Sequence, residues 1–252
     1  MRIAQYFDDI YLGLNIAMLV GLALAVVFGL IGGRTADPSR RLWPAVALIA
    51  IGTAFALAGG LIADAALKSS PWFQQVRFGA YYLGFAAIVI GTIVVIGAVG
   101  DSLRGRRLSR ALAVVFVTTV IIGGVFVTVP ATFVLNQYRE QIQLAVYWLP
   151  MLVAGAGGAV ALIAVAPVVS ARTRFRVILV AAFEALLFLG LLREAEIVPD
   201  LGDPLTNLLV AFVPFVVGAV CLAIAAAPQR QRTSRIPSSS TAGCPSGPVA
   251  SR

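Results

Sequence analysis

The chain has 252 residues, of which 60% are hydrophobic and 12% charged, and its mean hydropathy is +0.96. Soluble domains contain about 45–50% apolar and about 25% charged residues, so this composition excludes a water-soluble globular fold and predicts a protein that lies in a lipid bilayer. The net charge of +8 is spread over short loops, so it does not indicate a nucleic-acid partner.

The scarcity of chemically active side chains excludes several kinds of site. The sequence has no histidine and only two cysteines, Cys221 in an apolar run and Cys244 near the C-terminus. Histidine is the commonest metal ligand and general base, and clustered cysteines are needed for zinc or iron–sulfur sites. We therefore expect no metal site, no cofactor, no catalytic residue and no enzymatic activity.

Seven apolar runs follow one another along the chain, with short polar breaks between them. A bilayer core about 30 Å thick is crossed by about 20 residues of α-helix, which is close to the length of each run. The predicted spans are residues 10–32, 44–67, 78–100, 111–135, 144–169, 175–193 and 205–227. The sequence therefore predicts an all-α bundle of about seven transmembrane helices within residues 1–227, with the fourth and fifth helices as antiparallel neighbours.

Proline marks several positions in these helices. Pro44 is predicted to open the second helix, and Pro204 the seventh, where Asp203 has the residue type of an N-cap. Pro130, Pro150 and Pro214 fall inside apolar runs, where membrane helices tolerate proline as a kink.

The last 25 residues differ from the rest of the chain. Residues 228–252 are rich in Ser, Pro and Arg and contain almost no large apolar side chain. Such a segment cannot bury a core, so we expect a disordered cytoplasmic tail.

Arginine and lysine predict the orientation of the bundle. Alternate breaks and the tail hold fourteen of these residues, whereas the remaining breaks and the N-terminus hold five. Because basic loops stay in the cytoplasm, the N-terminus is predicted outside and the C-terminus inside. We expect a multi-pass protein of a bacterial plasma (inner) membrane, surrounded by lipid and paired with a membrane or cytoplasmic protein.

Glu184 is predicted to lie near the bilayer midplane, about ten residues into the sixth span. A carboxyl group is costly there and needs a partner or a function. Thr53, Thr92 and Thr119 are predicted at similar depth in other helices. Glu184 is either a protonated group that forms one interhelical hydrogen bond to such a threonine, or a proton carrier or ligand contact.

Polar and aromatic residues gather in the predicted outer half of the bundle. Asn15, Asp64, Arg77, Tyr81 and Asn207 lie there, as do all six tyrosines. One interpretation is a belt of aromatic side chains at the membrane interface. The other is an outward-facing polar cavity that binds a ligand, although Asp64 and Arg77 could equally form an ion pair that closes a loop.

Small residues form stripes on two helices. Ala80, Gly84, Ala87 and Gly91 share one face of the third helix, and the fifth helix carries the run AGAGGA over 154–159. Both patterns are typical of close helix packing. The run in the fifth helix lacks the spacing and the preceding strand of a nucleotide-binding loop.

Two functions fit these features. The first is a non-enzymatic binding or sensory domain, or the membrane subunit of a complex. The alternative is a small secondary transporter, proton-coupled through Glu184, with helices one to three and five to seven in a 3+1+3 arrangement. Seven-helix rhodopsins are similar in architecture alone, because a retinal protein needs a lysine in the seventh helix and Lys68, the one lysine, lies in a loop.

Overall fold

A computed structural model describes residues 2–32, 42–99, 102–128, 139–195, 197–199 and 201–227. Within these ranges the side chains of residues 2–9, 126–128, 139–145, 172 and 194 are not described. The predicted tail, residues 228–252, and Pro130 lie outside the described residues.

Seven α-helices make up nearly all of the described chain. They are α1 (Arg2–Gly32), α2 (Leu42–Ala66), α3 (Phe73–Val99), α4 (Leu103–Thr128), α5 (Arg139–Val165), α6 (Ala171–Glu194) and α7 (Pro204–Ala226). Each contains a segment long and apolar enough to cross a membrane, which confirms the predicted all-α membrane bundle. Pro150 and Pro214 lie inside α5 and α7, so these prolines do not end their helices.

The start of the fourth helix differs from the prediction. α4 begins at Leu103 rather than at residue 111, so Arg104, Arg106, Arg107 and Arg110 lie on its first two turns and not in a loop. Ser102 caps this helix, because its hydroxyl oxygen accepts a hydrogen bond from the Gly105 amide at 3.0 Å. Hydropathy alone missed this segment because arginine forms helices well but is not apolar.

Six of the helices form a closed ring. Contacts run from α1 to α2, α3, α5, α6, α7 and back to α1, with α2 and α7 also touching, while α4 packs against α3 and α5. The predicted contact between the fourth and fifth helices is confirmed.

The small residues of α3 allow a close approach to α2. A side-chain carbon at Gly84 would lie 2.7 Å from the Ala56 Cβ atom and 3.0 Å from the Ala56 backbone nitrogen of α2. A carbon at Gly52 would in turn lie 2.8 Å from the Ala87 Cβ atom. The predicted small-residue face of α3 therefore packs directly against α2.

The predicted N-cap of the seventh helix is confirmed. Asp203 Oδ2 accepts hydrogen bonds from the Thr206 amide at 2.8 Å and from the Thr206 hydroxyl at 2.6 Å. These hydrogen bonds stabilise the carboxylate and lower the pKa of Asp203 below its ordinary value.

We expect Asp203→Ala to lower the melting temperature of the purified protein, because two donors at the start of α7 lose their acceptor. Asp203→Asn should retain most of the stability, since an amide oxygen can also accept from Thr206. The lowered pKa means that the carboxylate stabilises the fold at neutral pH and that this contribution disappears as the pH falls through the folded-state pKa. Thermal unfolding of both variants at neutral and acidic pH tests this, and equal melting temperatures for Asp203→Ala and the parent at neutral pH would contradict it.

Candidate functional site

A cavity of about 110 Å³ lies in one half of the bundle. Its lining comes from the first half of α1, α3, α5 and α7 and from the last half of α2 and α6. We call this the outer half, because the charge pattern predicts that it faces outside, and the opposite one the inner half. All six helices of the ring contribute residues to the cavity wall, so the cavity lies within the bundle and not between the bundle and lipid.

Four of the six residues that the sequence singled out as ligand-binding candidates line this cavity. They are Asn15, Asp64, Arg77 and Tyr81. Thr53, Gly60 and Asp64, which share a face of α2, also line it together. The structure thus brings the predicted polar group around one space.

The ion pair of Asp64 and Arg77, which the sequence offered as one alternative, is present at the rim of the cavity. The Arg77 guanidinium and the Asp64 carboxylate form a salt bridge of 3.8 Å, and their side chains are 25% and 48% exposed. The guanidinium carbon of Arg77 also lies 5.7 Å from the ring centre of Phe73 and 5.8 Å from that of Tyr81. Such placement over aromatic rings stabilises a cation.

Aromatic rings form much of the cavity wall. Six of them line it: Tyr11, Tyr81, Phe85, Trp148, Phe212 and Phe215. The Tyr81 and Trp148 ring centres are 5.6 Å apart, and Tyr11 packs edge-on against Phe212 at 5.0 Å. These contacts fix the rings in place, so the wall is formed before any ligand arrives.

Other aromatic residues of the outer half do not line the cavity. The Tyr82 hydroxyl donates to the Tyr147 carbonyl oxygen at 3.1 Å, which ties α3 to α5. Trp72 is 66% exposed at the start of α3, as expected for a side chain at the membrane interface. The outer aromatic residues therefore divide between the cavity wall and other positions.

Asn207, the fifth candidate, lies outside the cavity. Its side-chain oxygen accepts hydrogen bonds from an Arg193 guanidinium nitrogen at 2.9 Å and from the Leu201 amide at 3.1 Å. Arg193 also donates to the Val198 carbonyl oxygen at 3.1 Å. Asn207 therefore fastens the connection between α6 and α7.

Glu184, the sixth candidate, is fully buried below the cavity. Its carboxyl group forms a hydrogen bond with the Thr92 hydroxyl of α3, a bond of the kind that one of the two alternatives for Glu184 predicted. Thr53 and Thr119 instead donate to carbonyl oxygens of their own helices. Within the described part of the chain, the second carboxyl oxygen of Glu184, Oε2, has no hydrogen-bond partner.

Gly158 of α5 makes the space for this carboxyl group. A side-chain carbon at Gly158 would collide with the Glu184 carboxyl, and one at Gly155 would lie 3.1 Å from the Glu184 carbonyl oxygen. The sequence predicted close packing for these glycines but not which residue they face. The missing information was the rotation of α5 about its axis, which only tertiary contacts define.

The burial of Arg176 was not predicted from the sequence. It is 6% exposed, and its guanidinium carbon lies 4.0 Å from the ring centre of Trp43, itself 3% exposed. The sequence placed both residues at the cytoplasmic interface. The spacing of eight between Arg176 and Glu184 is a signal that could have found it, because residues eight apart lie on one helix face.

Seven membrane-spanning helices define the chain as an integral, multi-pass membrane protein. Comparison with protein-family models, with curated proteins and with solved structures gives no match. In the described residues, no group of three or more Cys, Asp or Glu side chains could hold a metal ion.

Proposed function

We propose that this protein is a non-enzymatic binding or sensory domain that takes up a small organic cation in the cavity of its outer half. The observation that carries this proposal is the combination of six aromatic rings with the carboxylate of Asp64 around one space. Aromatic rings attract cations through their electron-rich faces, and quaternary ammonium ligands are recognised in this way. The Asp64 carboxylate attracts the same charge, and it does so beside the Arg77 guanidinium with which it forms a salt bridge.

The size of the cavity limits the ligand. An engineered apolar cavity of roughly 150 Å³ holds one benzene molecule, so a space of about 110 Å³ suits a ligand of similar or smaller size. An alkylammonium group such as the head of choline meets this limit.

A binding role is supported by the kinds of side chain in the lining. Among the described lining residues, Asp64 is the one carboxylate, and it is paired with Arg77. General acid–base catalysis needs a positioned acid or base of suitable strength, and hydrolytic sites pair two such groups. We propose that ligand binding changes the interaction with a partner protein, which lies either in the plasma membrane or in the cytoplasm.

We expect choline to bind to the purified protein in lipid nanodiscs, as measured by isothermal titration calorimetry. The uncharged isostere, in which carbon replaces the nitrogen, should bind about thirtyfold more weakly, since a desolvated cation–π interaction contributes about 2 kcal/mol. Asp64→Asn and Trp148→Leu should both weaken choline binding.

Asp203→Asn is the matched control, because it removes an acid of the same half that does not line the cavity. Equal affinities for choline and its isostere would contradict the proposed ligand class. Unchanged choline binding in Asp64→Asn and Trp148→Leu would show that the ligand binds elsewhere.

A further inference from the structure

One face of α6 connects the cavity to the inner half of the bundle. Arg176, Val180, Glu184, Leu187 and Leu191 recur along this face at the spacing of helical turns. Leu187 and Leu191 line the outer cavity, whereas Arg176 and Val180 line a second cavity of about 10 Å³ in the inner half. Glu184 therefore lies, along this face of α6, between the residues that line the two cavities.

A thin apolar layer separates Glu184 from the outer cavity. Leu187, the cavity residue nearest to Glu184 on α6, lies one turn away, which is roughly 5 Å along the helix axis. Phe85 lies two turns from Thr92 on α3, and Met151 two turns from Gly158 on α5. Each of these three side chains is less than 5% exposed, so the layer is closed in this conformation.

The hydrogen bonds around Thr92 indicate a neutral Glu184. The Thr92 hydroxyl has one hydrogen but two oxygens within bonding distance, the Ile88 carbonyl oxygen at 2.9 Å and a carboxyl oxygen of Glu184. Both bonds form together only if Thr92 donates to Ile88 and accepts from a protonated Glu184. A buried carboxylate with one hydrogen bond and no counter-charge would be costly.

The surroundings of Glu184 supply no counter-charge among the described side chains. α3 contributes Thr92, α5 contributes Gly155 and Gly158, and α7 packs on this part of α6 through Gly218, which faces Phe183. Cys221, the nearest titratable side chain of α7 in sequence, lies one turn beyond Gly218 and is partly exposed. On α6 itself the nearest described charges are Arg176 and Arg193, each more than two turns from Glu184 along the helix.

The groups that face this carboxyl suit a proton better than a metal ion. Magnesium needs about six oxygen ligands and calcium six to eight, whereas Glu184 and Thr92 are the side-chain oxygens in contact here. The Oε2 atom, which has no hydrogen-bond partner among the described residues, is the carboxyl oxygen that a water molecule would reach when the apolar layer opens, whereas Gly158 packs directly against the carboxyl group.

We propose that Glu184 exchanges a proton with the outer cavity, and that binding of the organic cation drives release of this proton. The identity of the ligand rests on the proposed function, whereas the assignment of Glu184 as a proton site does not. The O–H bond of the Glu184 carboxyl breaks, the carboxylate keeps the electron pair, and a cavity water molecule takes the proton and carries it to bulk solvent. The positive charge of the ligand stabilises the carboxylate that remains, so cation and proton exchange with each other, as in a proton-coupled transporter.

The coupling is tested by adding choline to the protein in nanodiscs, in weakly buffered solution that contains a pH-indicator dye. We expect choline to acidify the medium with the parent protein. With Glu184→Gln the signal should fall to that of empty nanodiscs while choline still binds. Asp203→Asn should release protons as the parent does, and proton release that persists in Glu184→Gln would overturn the proposal.

A second measurement tests the proton site without any ligand. The infrared carbonyl band of a protonated carboxylic acid should be present in the parent and in Asp64→Asn, disappear as the pH rises, and be absent from Glu184→Gln. A band that stays unchanged over the whole pH range in which the protein remains folded would overturn proton exchange. If choline fails to bind but this band titrates, the proposed ligand is wrong and the proton site stands.

Sodium ions provide the remaining comparison. In the ligand-free protein, the infrared carbonyl band should be equally strong in sodium chloride and in the same concentration of the chloride salt of an organic cation too large for the cavity. Loss of the band with sodium alone would show that Glu184 holds a metal cation and would overturn the assignment of this site to a proton.

Discussion

Gly84→Leu is expected to abolish folding of the bundle. A side-chain carbon at this position would lie 2.7 Å from the Ala56 Cβ atom and 3.0 Å from the Ala56 backbone nitrogen, so no rotation of a flexible side chain can relieve the contact. α2 and α3 would have to separate, and the cavity wall that both helices supply would be lost. We expect no monodisperse protein in size-exclusion chromatography of the detergent extract.

A graded pair of variants separates packing from helix propensity. Gly84→Ala should lower the free energy of unfolding by about 1–3 kcal/mol, as expected for overpacking. Gly79→Ala on the same helix meets no atom within 4 Å, so it should be neutral or slightly stabilising. Equal stability of the two alanine variants in reversible unfolding would contradict the close contact of α2 with α3.

Gly158→Ala is the second change with a large expected effect. The added carbon would collide with the Glu184 carboxyl, which is fully buried and cannot move away without losing its bond to Thr92. We expect a loss of about 1–3 kcal/mol in the free energy of unfolding, from overpacking and from the broken hydrogen bond.

A second substitution identifies the cause. Glu184→Ala removes the carboxyl that meets the new methyl group, so Gly158→Ala should cost far less in that background than in the parent. Gly157→Ala is the adjacent control, because its new carbon would meet only the ends of two side chains, Leu112 at 2.9 Å and Val153 at 3.9 Å. Strictly additive effects of Gly158→Ala and Glu184→Ala on unfolding would show that the two residues do not touch.

The sequence predicted the bundle well because hydropathy is a strong, local signal. Seven apolar runs correspond to seven helices, and the residue types of Asp203 and Pro204 identified the start of α7. α4 was predicted to start too late because its first two turns are rich in arginine, and a helix can extend beyond the apolar segment that crosses the membrane.

The candidate site was predicted less completely. Helical spacing placed Thr53, Gly60 and Asp64 on one face, and this face does line the cavity. Spacing within one helix cannot say which helices are neighbours, so Thr92 could not be distinguished from Thr53 or Thr119 as the partner of Glu184. The position of Asn207 depends on the connection between α6 and α7, which carries no periodic pattern.

The most direct test of the central claim is whether the cavity is open to water from outside the membrane and binds a cation. Leu57, which lines the cavity, is replaced by cysteine in a chain without Cys221 and Cys244, and a charged thiol reagent that cannot cross membranes is added to sealed cells. Phe55→Cys, on the same helix but away from the cavity and 51% exposed in the bundle, is the control that faces lipid. We predict that Leu57→Cys reacts from outside, that choline slows the reaction, and that Phe55→Cys does not react. A Leu57→Cys protein that reacts only from inside, or that does not react at all, would contradict an outward-facing binding cavity.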